Sequence, residues 1–278
     1  MEKGSAMKYL KMAGNVILYV LILALVAKLI GVFMDVMYAS KFRETIDMLN
    51  NTIFLHMVLL TIIPVLTYTL IFKFRKESLL KFCKFKKMSS KSLILTLIIG
   101  IAMSIFSTHF ISISSVVQNF PEFSEYLGVM EQGTVFTAML ILLPLFPIFE
   151  EILFRGLVYN ELKKGLPIVA ALIIQALLYV PFQPNIPVAV YAFVGFVFYC
   201  LVYEWTDSIW GSMLAQLVSL YGIFIVKRSG LMERLSGFSN VYLIGVCIIS
   251  VGVLLVASYY LSKNRVKVQS AEKQSAVG

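Results

Sequence analysis

Apolar residues run in long blocks along this chain, with charged residues gathered between the blocks and few inside them. Blocks can be drawn at 12–36, 52–73, 92–116, 132–154, 166–182, 186–204, 208–226 and 240–262. A helix needs about 20 apolar residues to cross a bilayer, and in hydrocarbon every backbone polar group must be satisfied internally. The pattern therefore predicts an all-α, polytopic membrane helix bundle of about eight transmembrane helices, one membrane domain over 1–262. The fifth to seventh blocks are shorter and carry internal polar residues, which sets them against other helices rather than lipid. The stretch 263–278 is polar and is expected to be a disordered cytoplasmic tail. The first block begins near Gly14, is over 20 residues long and lacks a small-residue cleavage site, so it reads as a permanent helix rather than a leader.

Composition strengthens this picture. Of 278 residues, 59% are hydrophobic and 14% charged, with a mean hydropathy of +0.87, against about 25% charged in ordinary soluble domains. The net charge of +9 sits in short loops, as orientation signals do. No basic stripe interleaved with aromatics is present, so nucleic acid is not an expected partner, whereas anionic membrane lipid is. Lys73, Arg75, Lys76, Lys81, Lys84, Lys86, Lys87 and Lys91 face only Glu77 in their stretch, which makes that loop cytoplasmic. Loop 117–131 has Glu122, Glu125 and Glu131 and no Lys or Arg, which suits the outer face. Both termini then fall in the cytoplasm of a multi-pass protein of the cell membrane. Lys227, Arg228 and Arg234 contradict the scheme, since they would lie outside. Cys83, Cys200 and Cys247 are isolated and odd in number, without metal-ligand spacing.

Chemistry concentrates at the end of the fourth block, where Glu150, Glu151 and Arg155 follow an apolar run containing Pro144 and Pro147. Charges at such a position cost a few kcal/mol each on insertion scales. Glu151 and Arg155 are i,i+4 and face one another on a helix, so they can pair. Glu150 is turned by about 100° and points elsewhere. Two readings stand: a helix that simply ends in interfacial charge, continued by Glu161, Lys163 and Lys164, or a general base, Glu150, beside an Arg155 that orients Glu151.

Glu-Glu-x-x-x-Arg at the cytoplasmic end of a helix in an eight-span protein resembles the intramembrane CAAX prenyl protease and bacteriocin-processing family, also called Abi. The resemblance covers roughly 130–225. In that family a Phe-x-x-x-His motif follows on the next helix, and His-x-x-x-Asn or Asp lies two helices further on. By spacing, Tyr179-Val-Pro-Phe-Gln183 stands at the second motif. The Thr-Gly-Ser-aromatic turn that precedes the third is matched by Thr206-Asp207-Ser208-Ile209-Trp210, which puts Gln216 at the histidine position and Leu220 at the Asn or Asp position. The only histidines, His56 and His109, stand at neither motif and read as ordinary membrane-helix residues.

The resemblance implies that the first Glu activates water while histidine and Asn assist, in a family described as metal-dependent and as purely glutamate-based. A Gln amide can donate a hydrogen bond but cannot shuttle a proton and is a poor metal ligand, so no cofactor is expected here. Candidate catalytic residues are Glu150, Glu151, Arg155, Gln183 and Gln216. Losing one preorganised donor or acid–base group typically costs 10²–10⁴ in rate. Gln suffices where only a buried hydrogen-bond network must stay satisfied.

The expectation is a divergent, weakened or inactive pseudoprotease. It would bind and regulate another membrane protein, or act in bacteriocin immunity, with an active endopeptidase working on a membrane-bound lipidated or helical peptide as the alternative. The glutamines also admit a plain reading as helix–helix hydrogen-bond glue. A transporter would need broken helices in corresponding halves, whereas Pro144, Pro147, Pro181, Pro184 and Pro187 cluster around one site.

Overall fold

The computed structural model describes residues 2–39, 52–128 and 143–275, and these contain helices and no strand. Glu131 and the first part of the fourth block, 132–142, lie outside the described residues. Among the described residues, the helices long and apolar enough to cross a membrane are Ala6–Met37, Ser90–Ser112, Ile186–Thr206, Ile209–Arg228 and Asn240–Arg265. They correspond to the first, third, sixth, seventh and eighth apolar blocks. Val58–Phe74 and Ile168–Phe182 are apolar but shorter. The fold is an all-α polytopic membrane bundle, and the chain divides into two compact units, Met1–Phe85 with Gln132–Gln175, and Lys86–Glu131 with Ala176–Gly278.

The first unit holds α1 (Glu2–Ala39), α2 (Thr52–Phe74), a single turn α3 (Leu79–Phe82), α7 (Leu143–Glu150), a π-helical segment Glu151–Tyr159, α8 (Asn160–Leu162) and the start of α9 (Ile168–Tyr179). Leu21, Leu25 and Leu29 of α1 are exposed, the lipid-facing side of a span, while Tyr19 and Leu23 are buried. Lipid is as apolar as Leu, so helices in a bilayer are held by close packing and hydrogen bonds rather than by the hydrophobic effect. Here the Tyr68 hydroxyl donates to the Tyr19 carbonyl at 2.9 Å. The Tyr19 and Phe72 rings stack at 6.4 Å.

The second unit holds α4 (Ser90–Ser112), α5 (Ser114–Asn119), α6 (Glu122–Gly128), a 3₁₀ turn Val180–Phe182 after α9, α10 (Ile186–Thr206), α11 (Ile209–Arg228), α12 (Leu231–Leu235) and α13 (Asn240–Ser275). Side-chain caps start its long helices: Ser89 accepts from the Ser92 N–H, Asn185 from Val188 and Ser208 from Trp210, the polar N-cap choice that satisfies orphan amides. Small residues let α4 and α11 approach closely. A Cβ built on Gly100 would stand 2.7 Å from the Val218 Cβ, and one on Gly222 2.7 Å from the Ser104 Cβ. Beside this contact Ile99, Ala102, Val202, Ala215, Leu254 and Leu261 form a buried cluster.

The polar stretch from 263, expected to be disordered, continues α13 as helix to Ser275; Lys, Gln, Ala and Glu in that stretch are good helix formers. Lys227, one of the basic residues that contradict the charge map, is paired with Glu233 at 2.9 Å, but the orientation rule counts Lys and Arg rather than net charge, so that loop still opposes the scheme.

Candidate active site

Pro144 and Pro147 open the helix that carries the charged residues, and Pro147 lies inside α7, where it has no N–H to give. After Glu150 the backbone widens into a π segment over Glu151–Tyr159, every residue of which is buried. Hydrophobic periodicity predicts an α-helix here, and the difference lies in backbone pairing. A π segment pairs each N–H with the carbonyl five residues back, and this one closes on a tighter, 3₁₀-type bond from the Asn160 N–H to the Leu157 carbonyl. The Asn160 side chain takes the Gly156 carbonyl at 2.9 Å and the Phe82 carbonyl at the same distance. One amide thus closes the π segment and ties it to α3. Insertions of this kind are rare and concentrate at functional sites.

Glu151 and Arg155 face one another as their spacing predicts, Nη1 to Oε1 at 3.2 Å, with neither side chain exposed. Glu150, 3% exposed, is buried beside them. Taking charges out of water costs several kcal/mol per ion, which pairing offsets only in part.

The other candidates belong to the second unit. Gln183 ends the 3₁₀ turn in extended conformation, half-buried, its N–H donating to the Val180 carbonyl at 3.0 Å. Before it, Tyr179 stacks on Phe196 with ring centroids 3.4 Å apart. Gln216 is 6% exposed on α11, one turn after the buried Ser212, and Leu220 is half-buried. The turn between α10 and α11 accounts for one departure from the family motif. Asp207 has φ +50°, the left-handed region that favours the glycine found there in the family and that Asp tolerates better than most residues. Its carboxylate pairs with Lys86, whose carbonyl accepts from the Ser208 hydroxyl.

His109 Nδ1 lies 2.8 Å from the Ile105 carbonyl on its own helix, beside the Tyr242 ring, and His56 is half-buried on α2. Among the described residues no three His, Cys, Asp or Glu side chains gather as a metal site. With amides at both motif histidine positions and Glu151 committed to Arg155, the donor set does not suit a resident zinc ion.

Polar residues brace the charged segment from one side, Asn15 and Gln175 among them in addition to the charges of Glu161, Lys164 and Arg75. Glu161, 2% exposed, accepts from the Asn15 amide at 2.9 Å and pairs with Lys164 at 2.7 Å. Arg75 reaches Asn15 Oδ1 at 3.0 Å and the Tyr19 hydroxyl at 3.2 Å. Gln175, also fully buried, donates to the Leu172 carbonyl. An Asn inside the first apolar block was the available signal. Cys83 is packed against Gly156, where a Cβ would stand 2.6 Å from the Cys83 Sγ; burial pushes this thiol well above its ordinary range.

Residues 132–219 match the family model for Type II CAAX prenyl endopeptidase Rce1-like proteins, a range that contains Glu150, Glu151, Arg155, Gln183 and Gln216. No curated protein and no solved structure matches the chain. The segment that carries Glu150, Glu151 and the facing Arg155 is thus similar, over residues 132–219, to the Type II CAAX prenyl endopeptidase Rce1-like family.

Proposed function

We propose that this chain is a regulatory pseudoprotease, which holds a membrane-embedded peptide or a helix of another membrane protein at its Glu150-Glu151-Arg155 segment while hydrolysis is weakened or lost. The observation that carries this reading is the pair Gln183 and Gln216 at the two positions where the family has histidine. An amide keeps a buried polar contact satisfied but cannot accept and return the proton that water activation releases. The buried Glu151–Arg155 pair supports retention of the binding architecture, and no step through a metal is needed. Bacteriocin immunity is one setting in which such a protein would act.

A second reading, an active endopeptidase with Glu150 as general base, draws on the burial of Glu150 next to that ion pair. The two separate cleanly in full-length protein reconstituted in lipid with a farnesylated peptide. The proposal expects cleavage at background for wild type and Glu150→Gln alike, with equal peptide binding. Cleavage by wild type that vanishes in Glu150→Gln would establish the peptidase instead.

The proposed orientation puts both termini in the cytoplasm of a cell-membrane protein, supported by the basic stretch from Lys73 to Lys91. Lys227, Arg228 and Arg234 in one loop oppose it. Labelling of single cysteines placed at Lys11 and Ser229 by a membrane-impermeant maleimide tests it: in right-side-out vesicles only the second should react.

A further inference from the structure

In the second unit, one end gathers the start of α4, the turn between α10 and α11, and the close of the apolar part of α13. Its carboxylates are already answered: Glu204 by Arg265 at 2.7 Å, Asp207 by Lys86. The Asn264 amide donates to the Ser89 and Ser92 hydroxyls at 3.1 and 2.9 Å, which fixes α13 against the capped start of α4. Beside this clamp is a hollow of about 140 Å³ lined by Lys91, Tyr260, Lys263 and Asn264. At about 30 Å³ per water it has room for several waters, and so for a phosphate. Lys91 and Lys263 form no ion pair among the described residues, and Lys263 rests over the Tyr259 ring at 5.7 Å.

We infer that this hollow binds the phosphate of an anionic phospholipid headgroup. Two ammonium groups and a tyrosine hydroxyl supply donors to phosphate oxygens, and the nearby carboxylates are neutralised, so an anion is drawn in rather than repelled. A free phosphate shares this chemistry, but the surroundings favour a lipid. Leu255 and Val256 on α13 and Leu93 and Ile94 on α4 are exposed apolar residues within about two turns of the lysines. Tyr259 and Tyr260 are exposed at the end of the same span, the depth at which aromatic residues mark the interface. Lysine stems lie along apolar surface while their heads stay at headgroup level. Residues from both α4 and α13 line the hollow, so the lipid would bridge two helices.

Native mass spectrometry of the full-length protein in detergent, titrated with phosphatidylglycerol or phosphatidylcholine, tests this. Wild type should retain phosphatidylglycerol preferentially. Each lysine near the surface contributes about fivefold, so Lys91→Gln/Lys263→Gln should lose roughly 25-fold in affinity. The Lys91→Arg/Lys263→Arg variant should keep the preference, which separates loss of the site from loss of the fold. Lys73→Gln/Lys81→Gln removes the same charge elsewhere and should change affinity little. Equal retention of the two lipids, equal losses in the two Gln variants, or displacement of the lipid by millimolar inorganic phosphate would each overturn the inference.

Discussion

Glu151 and Arg155 meet at 3.2 Å with neither side chain reaching solvent. A buried pair of this kind is fragile in one direction and replaceable in the other. Arg155→Met strands a carboxylate where water cannot reach it, which should cost about 3–5 kcal/mol. Replacing both partners by groups of similar volume, Glu151→Gln with Arg155→Met, should recover much of that loss. The checking measurement is the thermal midpoint of the detergent-solubilised protein for both single variants and the double. A double variant as unstable as Arg155→Met would mean that the pair is not what the arginine contributes.

Packing between α3 and the π segment leaves no room beside Gly156, where an added Cβ would come 2.6 Å from Cys83 Sγ. Gly156→Ala should therefore destabilise by about 1–3 kcal/mol through overpacking. Removing the sulfur in Gly156→Ala/Cys83→Ala should restore part of the loss, although the Cys83 Cβ at 3.0 Å stays close. A double-mutant cycle on unfolding reads the coupling directly. Additive effects would show that the contact is not what limits this position.

How far this site was legible in the sequence depends on the residue. The Glu151–Arg155 pairing followed from a four-residue spacing, and five of the spans followed from length and apolarity alone. The π segment over Glu151–Tyr159 did not, because a π-helix differs from an α-helix only in which carbonyl each backbone N–H reaches, five residues back instead of four, and that leaves no mark on hydrophobic periodicity. Glu161 read as an interfacial charge because it stands between Asn160 and the lysines at 163 and 164. It is buried and accepts from Asn15, 146 positions away in the chain, and no local pattern encodes such a contact. Asp207 was matched to the family's glycine on motif spacing, and its φ of +50° supplies the physical reason for that position.

Loss of the Glu161 carboxylate should be felt through Asn15. Glu161→Leu leaves the Asn15 amide donor with no acceptor at 2.9 Å and should cost about 1–3 kcal/mol. Glu161→Gln keeps an acceptor and gives up only the charge pairing with the half-exposed Lys164, so it should cost well under half as much. Thermal midpoints of the two variants decide; equal losses would place the effect in the charge rather than in the hydrogen bond.

Cys83 gives a prediction with a definite sign. Burial raises its thiol above the ordinary value of 9.0, so the folded protein holds the proton more tightly than the unfolded chain does. The resulting stability is fully present below about pH 9 and is lost as pH rises, because the unfolded chain deprotonates first. Thiolate is also the reactive species. In a Cys200→Ser/Cys247→Ser background, alkylation of Cys83 at pH 8 should be at least roughly tenfold slower in folded than in unfolded protein. Equal rates would show that the thiol is open to solvent.

The approach of α4 to α11 makes the sharpest test of packing in the second unit. A Cβ on Gly222 would stand 2.1 Å from the Ser104 Oγ and 2.7 Å from the Ser104 Cβ. A hydroxyl can rotate away, but a Cβ is fixed to the backbone, so Gly222→Ala forces the two helices apart. Helix association in lipid depends on van der Waals contact at this kind of small-residue interface, and the expected loss is about 1–3 kcal/mol. The second substitution discriminates between the two clashing atoms. Gly222→Ala/Ser104→Ala removes only the hydroxyl and should stay destabilised, whereas Gly222→Ala/Ser104→Gly removes both atoms and should regain stability despite the added glycine cost of about 1 kcal/mol in a helix. Thermal midpoints in detergent rank the three variants, and a rescue by Ser104→Ala equal to that by Ser104→Gly would place the clash at the hydroxyl alone and leave the backbone approach unconstrained.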